Sequence, residues 1–143
     1  MKISKAQTEA VRQILDANVN RAREGLRVTE EIFRFAKKDP AMTRKIKVLR
    51  HKVDAIVANS RLGKLDLEAS RDSKQDPGRV LHAGREFSRG SLQDILGANL
   101  HRVGEALRVL EEFSKLFDTG ASRKFKELRF RFYDVEKAAL QML

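Results

Sequence analysis

Apolar residues recur every three to four positions along most of the chain, which is the spacing that lines one face of an α-helix. Ser4 and Gln7 form a capping-box pair before the first such stretch, and Asp39 with Pro40 is typical of a second helix start. No stretch alternates with a period of two, so we expect no sheet. The pattern predicts four helices, from about Ser4 to Lys37, Pro40 to Ser60, Ser91 to Phe117 and Ser122 to Met142.

The first and third helical stretches repeat one another at an offset of 81 residues. The segment NVNRAREGLRVTEEIF begins at Asn18, and NLHRVGEALRVLEEFS begins at Asn99. Between residues 14–36 and 95–117, 11 of 23 positions are identical, and polar positions match as well as apolar ones. We therefore expect one all-α domain over residues 1–143, with two pseudo-symmetric helical hairpins formed by the repeats 5–60 and 91–142.

The connection between the hairpins, residues 61–90, contains four of the eight glycines and has little helical periodicity. A connection of this length without its own structure is commonly either functional or disordered, and we predict a long functional loop. It either stays at the end where the second helix finishes, which would bring helix N-termini and both asparagines together, or crosses to the far end. Its cations would favour an anionic ligand there: Arg71, Lys74, Arg79, Arg85 and Arg89.

Two polar residues interrupt the apolar face of the first helix. On a helical wheel Asn18 lies in the middle of that face and Arg21 at its edge, and Asn99 and Arg102 repeat the placement in the third helix. Buried amide and guanidinium groups need partners. Two interpretations stay open: a polar layer that fixes the register of the bundle, or a polar pocket between helices.

Other charged residues of the two repeats face away from the apolar side. Glu30 and Glu111 lie there with Arg27 and Arg108, so we predict a solvated ion-pair surface for these four residues, and Asp16 lies on the same side. Glu24 and Glu105 lie at the boundary, where a carboxylate could orient the neighbouring arginine.

Composition narrows the classes of function. The net charge of +10 indicates an anionic partner, either nucleic acid or a phosphorylated small molecule. There is no cysteine, the three histidines are scattered, and no Walker-type phosphate loop is present, so thiolate chemistry, a zinc site and a P-loop are not expected. The chain has no apolar run of membrane-spanning length and no apolar leader, so we expect a cytoplasmic protein without a membrane partner.

The motifs together resemble a known family of small thiamine-pathway domains. The pattern N-x-x-R-x-x-E-x-L-R-V-x-E-E occurs from Asn18 and again from Asn99, and L-R-H stands at residues 49–51. The connection adds R-D-S-x-x-D-x-G at residues 71–78 and EFSRGSL at residues 86–92. The family is described as a second type of hydroxymethylpyrimidine-phosphate kinase, found alone or fused ahead of thiamine-phosphate synthase.

The resemblance implies an enzyme that transfers the γ-phosphoryl group of ATP to hydroxymethylpyrimidine phosphate, with Mg²⁺. Such a reaction needs positioning and charge neutralisation more than a strong base. On the basis of the resemblance, the predicted catalytic residues are Arg71, Asp72 and Asp76, and the two aspartates are also the predicted Mg²⁺ ligands. The predicted phosphate-binding residues are Gly78 and Arg89. The predicted substrate-binding residues are Asn18, Arg21, Glu24, Asn99, Arg102 and Glu105.

Two other classes of function remain open. One is a non-catalytic domain that binds a phosphorylated pyrimidine or docks on thiamine-phosphate synthase. The other is a basic helical nucleic-acid binder, which is disfavoured because the arginines are spaced to pair with carboxylates on their own helices. For the 71–73 segment the plain alternative is a turn in which Asp72 bonds the local backbone. The sequence also leaves open whether the bundle forms a homodimer.

Overall fold

A computed structural model describes residues 3–81 and 88–143 of the chain. The described part contains helices and turns and no strand, which confirms the all-α fold prediction. Three single 3₁₀ turns lie in the connection, at Arg61–Lys64, Leu67–Ser70 and Pro77–Val80. The four long helices are α1 (Lys5–Glu31), α2 (Pro40–Ala58), α3 (Leu92–Ser114) and α4 (Thr119–Gln141).

Side-chain caps set the helix starts. Ser4 forms the predicted capping box with Gln7, and Asp39 caps α2 with Pro40 in its first position. The turn between α3 and α4 differs from the prediction, which ended the third helix at Phe117 and started the fourth at Ser122. The carboxylate of Asp118 accepts a hydrogen bond from the Ala121 amide at 3.0 Å, so this residue caps α4 and the helix begins at once.

The helical backbone continues beyond Glu31, the last α-helical residue of α1. It continues as a π-helical turn over Ile32–Ala36, and Lys38 then adopts a left-handed backbone conformation with φ of 51°. The left-handed residue breaks the helix and turns the chain into the cap of α2. The first hairpin is thereby closed by a very short turn.

The helices form a bundle in the cyclic order α1, α2, α4, α3. Extensive contacts join α1 to α2 and to α3, and α4 to α2 and to α3. Apolar side chains from all four helices and from the first 3₁₀ turn fill the centre. The largest fully buried ones include Phe33, Phe125, Phe132, Leu15, Leu26, Ile46, Leu62 and Leu107.

Helices α1 and α3 approach closely at Gly25. A Cβ atom on this residue would lie 2.6 Å from Cγ2 of Val103 and 3.0 Å from the carbonyl oxygen of Asn99. Neither distance leaves room for a side chain. A glycine in mid-helix, which costs helix stability, is therefore explained by the close backbone contact it permits.

The connection crosses from one end of the bundle to the other. The backbone N–H of Arg61, just after α2, donates to the carboxylate of Asp118 at 3.0 Å, so α2 ends where α4 begins. At the other end Gln93, near the start of α3, donates to the carbonyl of Leu143 at 3.0 Å. The third helix therefore starts far from the end of the second. Of the two routes left open above, the crossing route is the correct one.

The prediction of a solvated ion-pair surface for Glu30 and Glu111 is wrong. Their exposed fractions are 2% and 4%. Glu30 accepts from Nε of Arg50 at 3.0 Å, and Glu111 accepts from Nε of Arg129 at 2.9 Å. The wheel assumed one buried sector per helix, whereas α1 and α3 each pack against two neighbouring helices, so a second sector is covered.

The two buried pairs recur at equivalent places in the two hairpins. Outer arginines add a second partner to each carboxylate, Arg27 at 3.8 Å from Glu30 and Arg108 at 3.2 Å from Glu111. These outer arginines, which were predicted to be solvated, are about half exposed. Each hairpin is thus joined across its helices by a charged pair that is largely removed from water.

We predict that breaking either inner pair destabilises the fold, because it leaves a carboxylate buried without its closest cation. Arg50→Met should lower the free energy of unfolding by about 2–4 kcal/mol. Arg129→Met should cost less, since Arg108 lies nearer to Glu111 than Arg27 does to Glu30. Urea unfolding of the purified variants measures both values.

The matched control is Arg23→Met, which removes an exposed pair with Asp54 (N–O distance 3.0 Å) between the same two helices. Its cost should not exceed about 1 kcal/mol. The double variant Glu30→Leu/Arg50→Met should recover much of the lost stability, because no charge is then left buried. Equal losses for Arg50→Met and Arg23→Met would refute the burial argument.

Candidate functional site

The first half of the connection is fastened to the outer side of α1. Arg12 donates through Nε to the carbonyl of Leu65 at 2.7 Å and through Nη2 to the carbonyl of Asp66 at 2.6 Å. The amide of Gln13 donates to the carbonyl of Ser70 at 3.0 Å. These bonds satisfy backbone groups that a loop without its own secondary structure would otherwise leave to water.

The next contact is a bidentate salt bridge between Arg71 and Asp16. Nε and Nη2 of the guanidinium donate to the two carboxylate oxygens at 2.8 and 2.9 Å. This hydrogen bonding and the charge of the Asp16 carboxylate raise the pKa of Arg71 above its ordinary value. Asp16 is only 7% exposed although it was predicted on the outward side of α1, because the connection covers that side.

A cavity of about 440 Å³ lies between α1 and the connection beyond this salt bridge. Its volume is in the range of small-molecule sites. Five of the predicted site residues line it together with Asp16, Ile14 and Pro77: Asn18, Arg21, Arg71, Asp72 and Asp76. The structure therefore brings the polar positions of the first repeat and the R-D-S-x-x-D motif to one place.

Asn18 and Asn99 do not share this cavity. Each amide donates to the carbonyl four residues earlier, that of Ile14 or Ile95, at 2.8 Å. Asn99 lies beside Gly25, seven residues along α1 from Asn18 and so about 10 Å away along the helix axis. The cavity at α1 is lined by Asn18 and not by Asn99, so the expectation of one pocket lined by both is not met there.

The remaining predicted substrate residues are also dispersed. Arg21 and Arg102 are both exposed, and only Arg21 lines the cavity described above. Glu24 lines a different cavity, of about 310 Å³, with Arg23, Arg27 and Arg50. Glu105 pairs with His101 (Nε2–Oε1 distance 3.2 Å) beside a cavity of about 500 Å³.

This cavity next to Glu105 also contains Glu136, and burial raises the pKa of that carboxyl group while the charge of His101 opposes the shift. It lies between α3 and α4, at the position equivalent to the cavity that contains Glu24. The repeat therefore produces equivalent cavities with different side chains.

The carboxylates of the connection make local backbone bonds. Oδ1 of Asp76 accepts from the Gly78 amide at 2.8 Å, and Oδ1 of Asp72 accepts from the Gln75 amide at 3.3 Å. The amide of Gly78 is thus already used, and Arg89 donates to the carbonyl of Ser88 at 2.8 Å. The other predicted residues of the second half of the connection, Arg85 and the Glu86–Phe87 part of EFSRGSL, lie outside the described residues.

The two aspartates suit one mode of Mg²⁺ binding. Within residues 3–81 and 88–143 there is no group of three or more acidic or histidine side chains that could hold a metal ion by itself. Mg²⁺ in nucleotide sites is commonly held by one or two carboxylates together with substrate phosphates. Asp72 and Asp76 line one cavity and each has a second carboxylate oxygen, so they fit this mode and not an all-protein site.

Comparisons with known proteins identify the family of this chain. The chain belongs to the ThiD2 family, whose model matches residues 13–138, and the resemblance inferred from the motifs is confirmed. It is 45% identical over 130 residues to a thiamine-phosphate synthase of Thermosynechococcus vestitus, a match that covers 91% of this chain and 35% of that protein. The thiamine-phosphate synthase of Synechocystis sp. is 42% identical over 138 residues, with 96% and 38% covered.

The chain therefore spans a little over a third of the length of the curated relatives it matches. No solved structure matches the chain. In the described residues no helix has both the length and the apolar character that a membrane crossing requires.

Sequence reasoning missed Asp16, Arg50 and Arg129 as organising residues. Arg71 and Asp16 are 55 residues apart, and no local pattern marks them as partners. Arg50 and Arg129 stood in the repeated Leu-Arg motif, which was a usable signal, because a cation repeated at equivalent positions suggests a repeated partner.

We predict that the Arg71–Asp16 salt bridge holds the connection against α1. Arg71→Met and Asp16→Asn should each speed tryptic cleavage at Lys74 by about fivefold or more, because the bidentate pair that holds the neighbouring backbone is lost. Limited proteolysis followed by mass spectrometry measures the rate at this bond.

The control is Arg61→Met, because Arg61 is held through its backbone amide and not through its side chain. Its cleavage rate at Lys74 should equal that of the unchanged protein. A connection that is cut no faster in Asp16→Asn than in Arg61→Met would show that other contacts hold it.

Proposed function

We propose that this chain transfers the γ-phosphoryl group of ATP to hydroxymethylpyrimidine phosphate, at the cavity between α1 and the connection. Membership of the ThiD2 family and the similarity to thiamine-phosphate synthases support a role in thiamine biosynthesis. The observation that carries the choice of site is the convergence of Asn18, Arg71, Asp72 and Asp76 on one cavity.

Asn18 is the residue we assign to the pyrimidine ring. Its side chain is 4% exposed and its Nδ2 is bonded to Ile14, so the amide is held in one orientation. Within the described residues, the one hydrogen bond that its Oδ1 accepts comes from Nη1 of Arg21 at 3.5 Å, which is long and weak. That oxygen is therefore placed to accept a hydrogen bond from an exocyclic amino group, while Ile14 supplies apolar contact for the ring.

Arg71 and Arg21 are the residues we assign to the phosphate groups. The Asp16 pair uses two of the five N–H donors of Arg71, which leaves the other donors of a guanidinium whose orientation is already fixed. A preorganised cation of this kind stabilises a transferring phosphoryl group without reorganising during the reaction. Arg21 is exposed at the same cavity and can neutralise further charge.

In the reaction, an oxygen of the substrate phosphate forms a bond to the γ-phosphorus of ATP, and the bond from that phosphorus to the β–γ bridging oxygen breaks. ADP leaves with the electron pair, and the products are ADP and the pyrimidine diphosphate. The nucleophile is already anionic, so no general base is needed. Asp72 and Asp76 would hold Mg²⁺, which supplies charge neutralisation between the phosphates when bound.

A second function, binding without catalysis, has its own support. The chain corresponds to about a third of each synthase relative, so it could deliver or retain a phosphorylated pyrimidine for a synthase supplied in the same or another polypeptide. Both aspartates of the cavity make local backbone bonds, as expected of a purely structural turn. This alternative requires substrate binding without ATP turnover.

Binding of nucleic acid is the third class of function left by the sequence. The arginines of the two repeats speak against it for α1 and α3, because Arg23, Arg27 and Arg108 are paired with carboxylates at 3.0, 3.2 and 3.1 Å. Cations that are already neutralised contribute little to phosphate binding along a nucleic acid.

We expect purified protein with ATP, Mg²⁺ and hydroxymethylpyrimidine phosphate to form ADP and the pyrimidine diphosphate, observed by ³¹P NMR. Asn18→Ala should raise KM for the pyrimidine phosphate about tenfold, because the hydrogen bond to the ring is lost. Arg71→Met should lower kcat more than it raises KM, since its charge acts on the transferring group.

The matched control is Asn99→Ala, which removes the same intrahelical bond at the equivalent position without touching the cavity. It should leave KM unchanged. An equal effect of Asn18→Ala and Asn99→Ala would place the site elsewhere in the bundle. Saturable binding of the pyrimidine phosphate by calorimetry with no ADP formed would establish the non-catalytic alternative.

A further inference from the structure

Charge is divided unequally between the two helix pairs of the bundle. Helices α2 and α4 together contain eleven lysines and arginines and four acidic residues, a net charge of +7. Helices α1 and α3 contain seven and nine, a net charge of −2. The excess positive charge of the chain is therefore concentrated on the helix pair that takes no part in the cavity at α1.

A cleft of about 310 Å³ lies between α2 and α4 in the middle of this basic surface. Its floor is apolar, formed by Ile56 and Leu128 with Ala55 at the edge. Charged and polar groups surround the floor. They are Lys52, Lys124, Arg131, Glu127 and Asn59.

Three cations line this cleft. Lys52, Lys124 and Arg131 form no ion pair with any residue in the part of the chain that the structure describes. By contrast, Arg50 and Arg129 on the same two helices are paired with buried carboxylates. The cleft thus brings three cations without an ion pair, and one carboxylate, Glu127, to the edge of an apolar surface, an arrangement that attracts an anion.

We propose that the α2–α4 cleft binds a small phosphomonoester through Lys52, Lys124 and Arg131, with its organic part on Ile56 and Leu128. Three cations and Glu127 leave two net positive charges, and a phosphomonoester carries about −1.5 to −2 at neutral pH. A cleft of this volume accommodates one small ring and one phosphate group. The apolar floor distinguishes such a ligand from free inorganic phosphate.

The site is separate from the proposed phosphoryl-transfer cavity. The two share no lining residue and no helix, because one is formed by α1 and the connection and the other by α2 and α4. Phosphoryl transfer needs donor and acceptor in contact. A ligand in the cleft is therefore neither donor nor acceptor in that reaction, and the cleft is an additional binding site.

A small ligand fits the cleft better than a nucleic acid does. A nucleic-acid backbone requires a continuous row of cations, whereas Glu127 lies among the three cations here. The apolar floor is concave and lies between two helices, and none of the residues that line the cleft is aromatic. Stacking, the usual means of holding single-stranded bases, is not available there.

The experiment uses the 143-residue chain with isoleucine methyl groups labelled for NMR, because two isoleucines report the two sites separately. Ile56 lies in the α2–α4 cleft and Ile14 in the α1 cavity. Titration with phenyl phosphate should shift the Ile56 signal saturably. Inorganic phosphate and benzyl alcohol, which each lack one half of the ligand, should bind at least about tenfold more weakly.

Variants identify the groups responsible. Lys52→Met and Arg131→Met should each raise the dissociation constant measured at Ile56 about tenfold, because a charge-assisted hydrogen bond is lost. The matched controls Lys45→Met and Lys126→Met remove exposed lysines of the same two helices outside the cleft, and they should change it less than about twofold.

Three outcomes would overturn the proposal. The first is a shift at Ile14 with none at Ile56, which would assign phenyl phosphate to the α1 cavity alone. The second is equal affinity for inorganic phosphate and phenyl phosphate, which would show that the floor does not contribute. The third is a stronger shift with duplex DNA that all four lysine and arginine variants weaken equally, which would make the surface an extended nucleic-acid interface.

Discussion

The salt bridge between Arg71 and Asp16 is the contact on which the shape of the candidate site depends. In its described residues the connection has only single 3₁₀ turns of its own, so its path there must be determined by what it contacts. Hydrogen bonds from Arg12 and Gln13 hold the first part of the connection against α1. The bidentate pair then fixes the position of Arg71, after which residues of the 72–77 segment line the cavity opposite Asn18. Without that pair, the described contacts define no wall opposite Asn18.

The connection also breaks the symmetry of the two repeats. Equivalent intrahelical bonds of Asn18 and Asn99, and equivalent buried pairs of Glu30 and Glu111, recur in the two hairpins. One connection cannot cover both repeats, however, and of the two repeat helices α1 and α3 its extensive contacts in the described residues are with α1. The candidate site therefore lies at α1, while Lys52, Lys124 and Arg131 on α2 and α4 form no ion pair within the described residues.

The sequence was sufficient for the fold and for part of the site. Capping residues and apolar periodicity predicted the four helices, and the helical wheel correctly predicted that Asn18 is buried. Both features depend on local hydrogen bonding and on the apolar pattern, which the sequence contains. The wheel wrongly predicted that Glu30 and Glu111 are exposed to solvent, because their burial depends on a second neighbouring helix that a single wheel does not include. The sequence could not pair Arg71 with Asp16, because that contact depends on the route of the connection across the bundle.

The most direct test of this account is a crystal structure of the protein with hydroxymethylpyrimidine phosphate and a non-hydrolysable ATP analogue. The account predicts the pyrimidine ring against Asn18 and Ile14, with its phosphate at Arg71 and the Arg71–Asp16 pair intact. Electron density for the ring at the Asn99 side of the bundle, or between α2 and α4 with the α1 cavity empty, would contradict it.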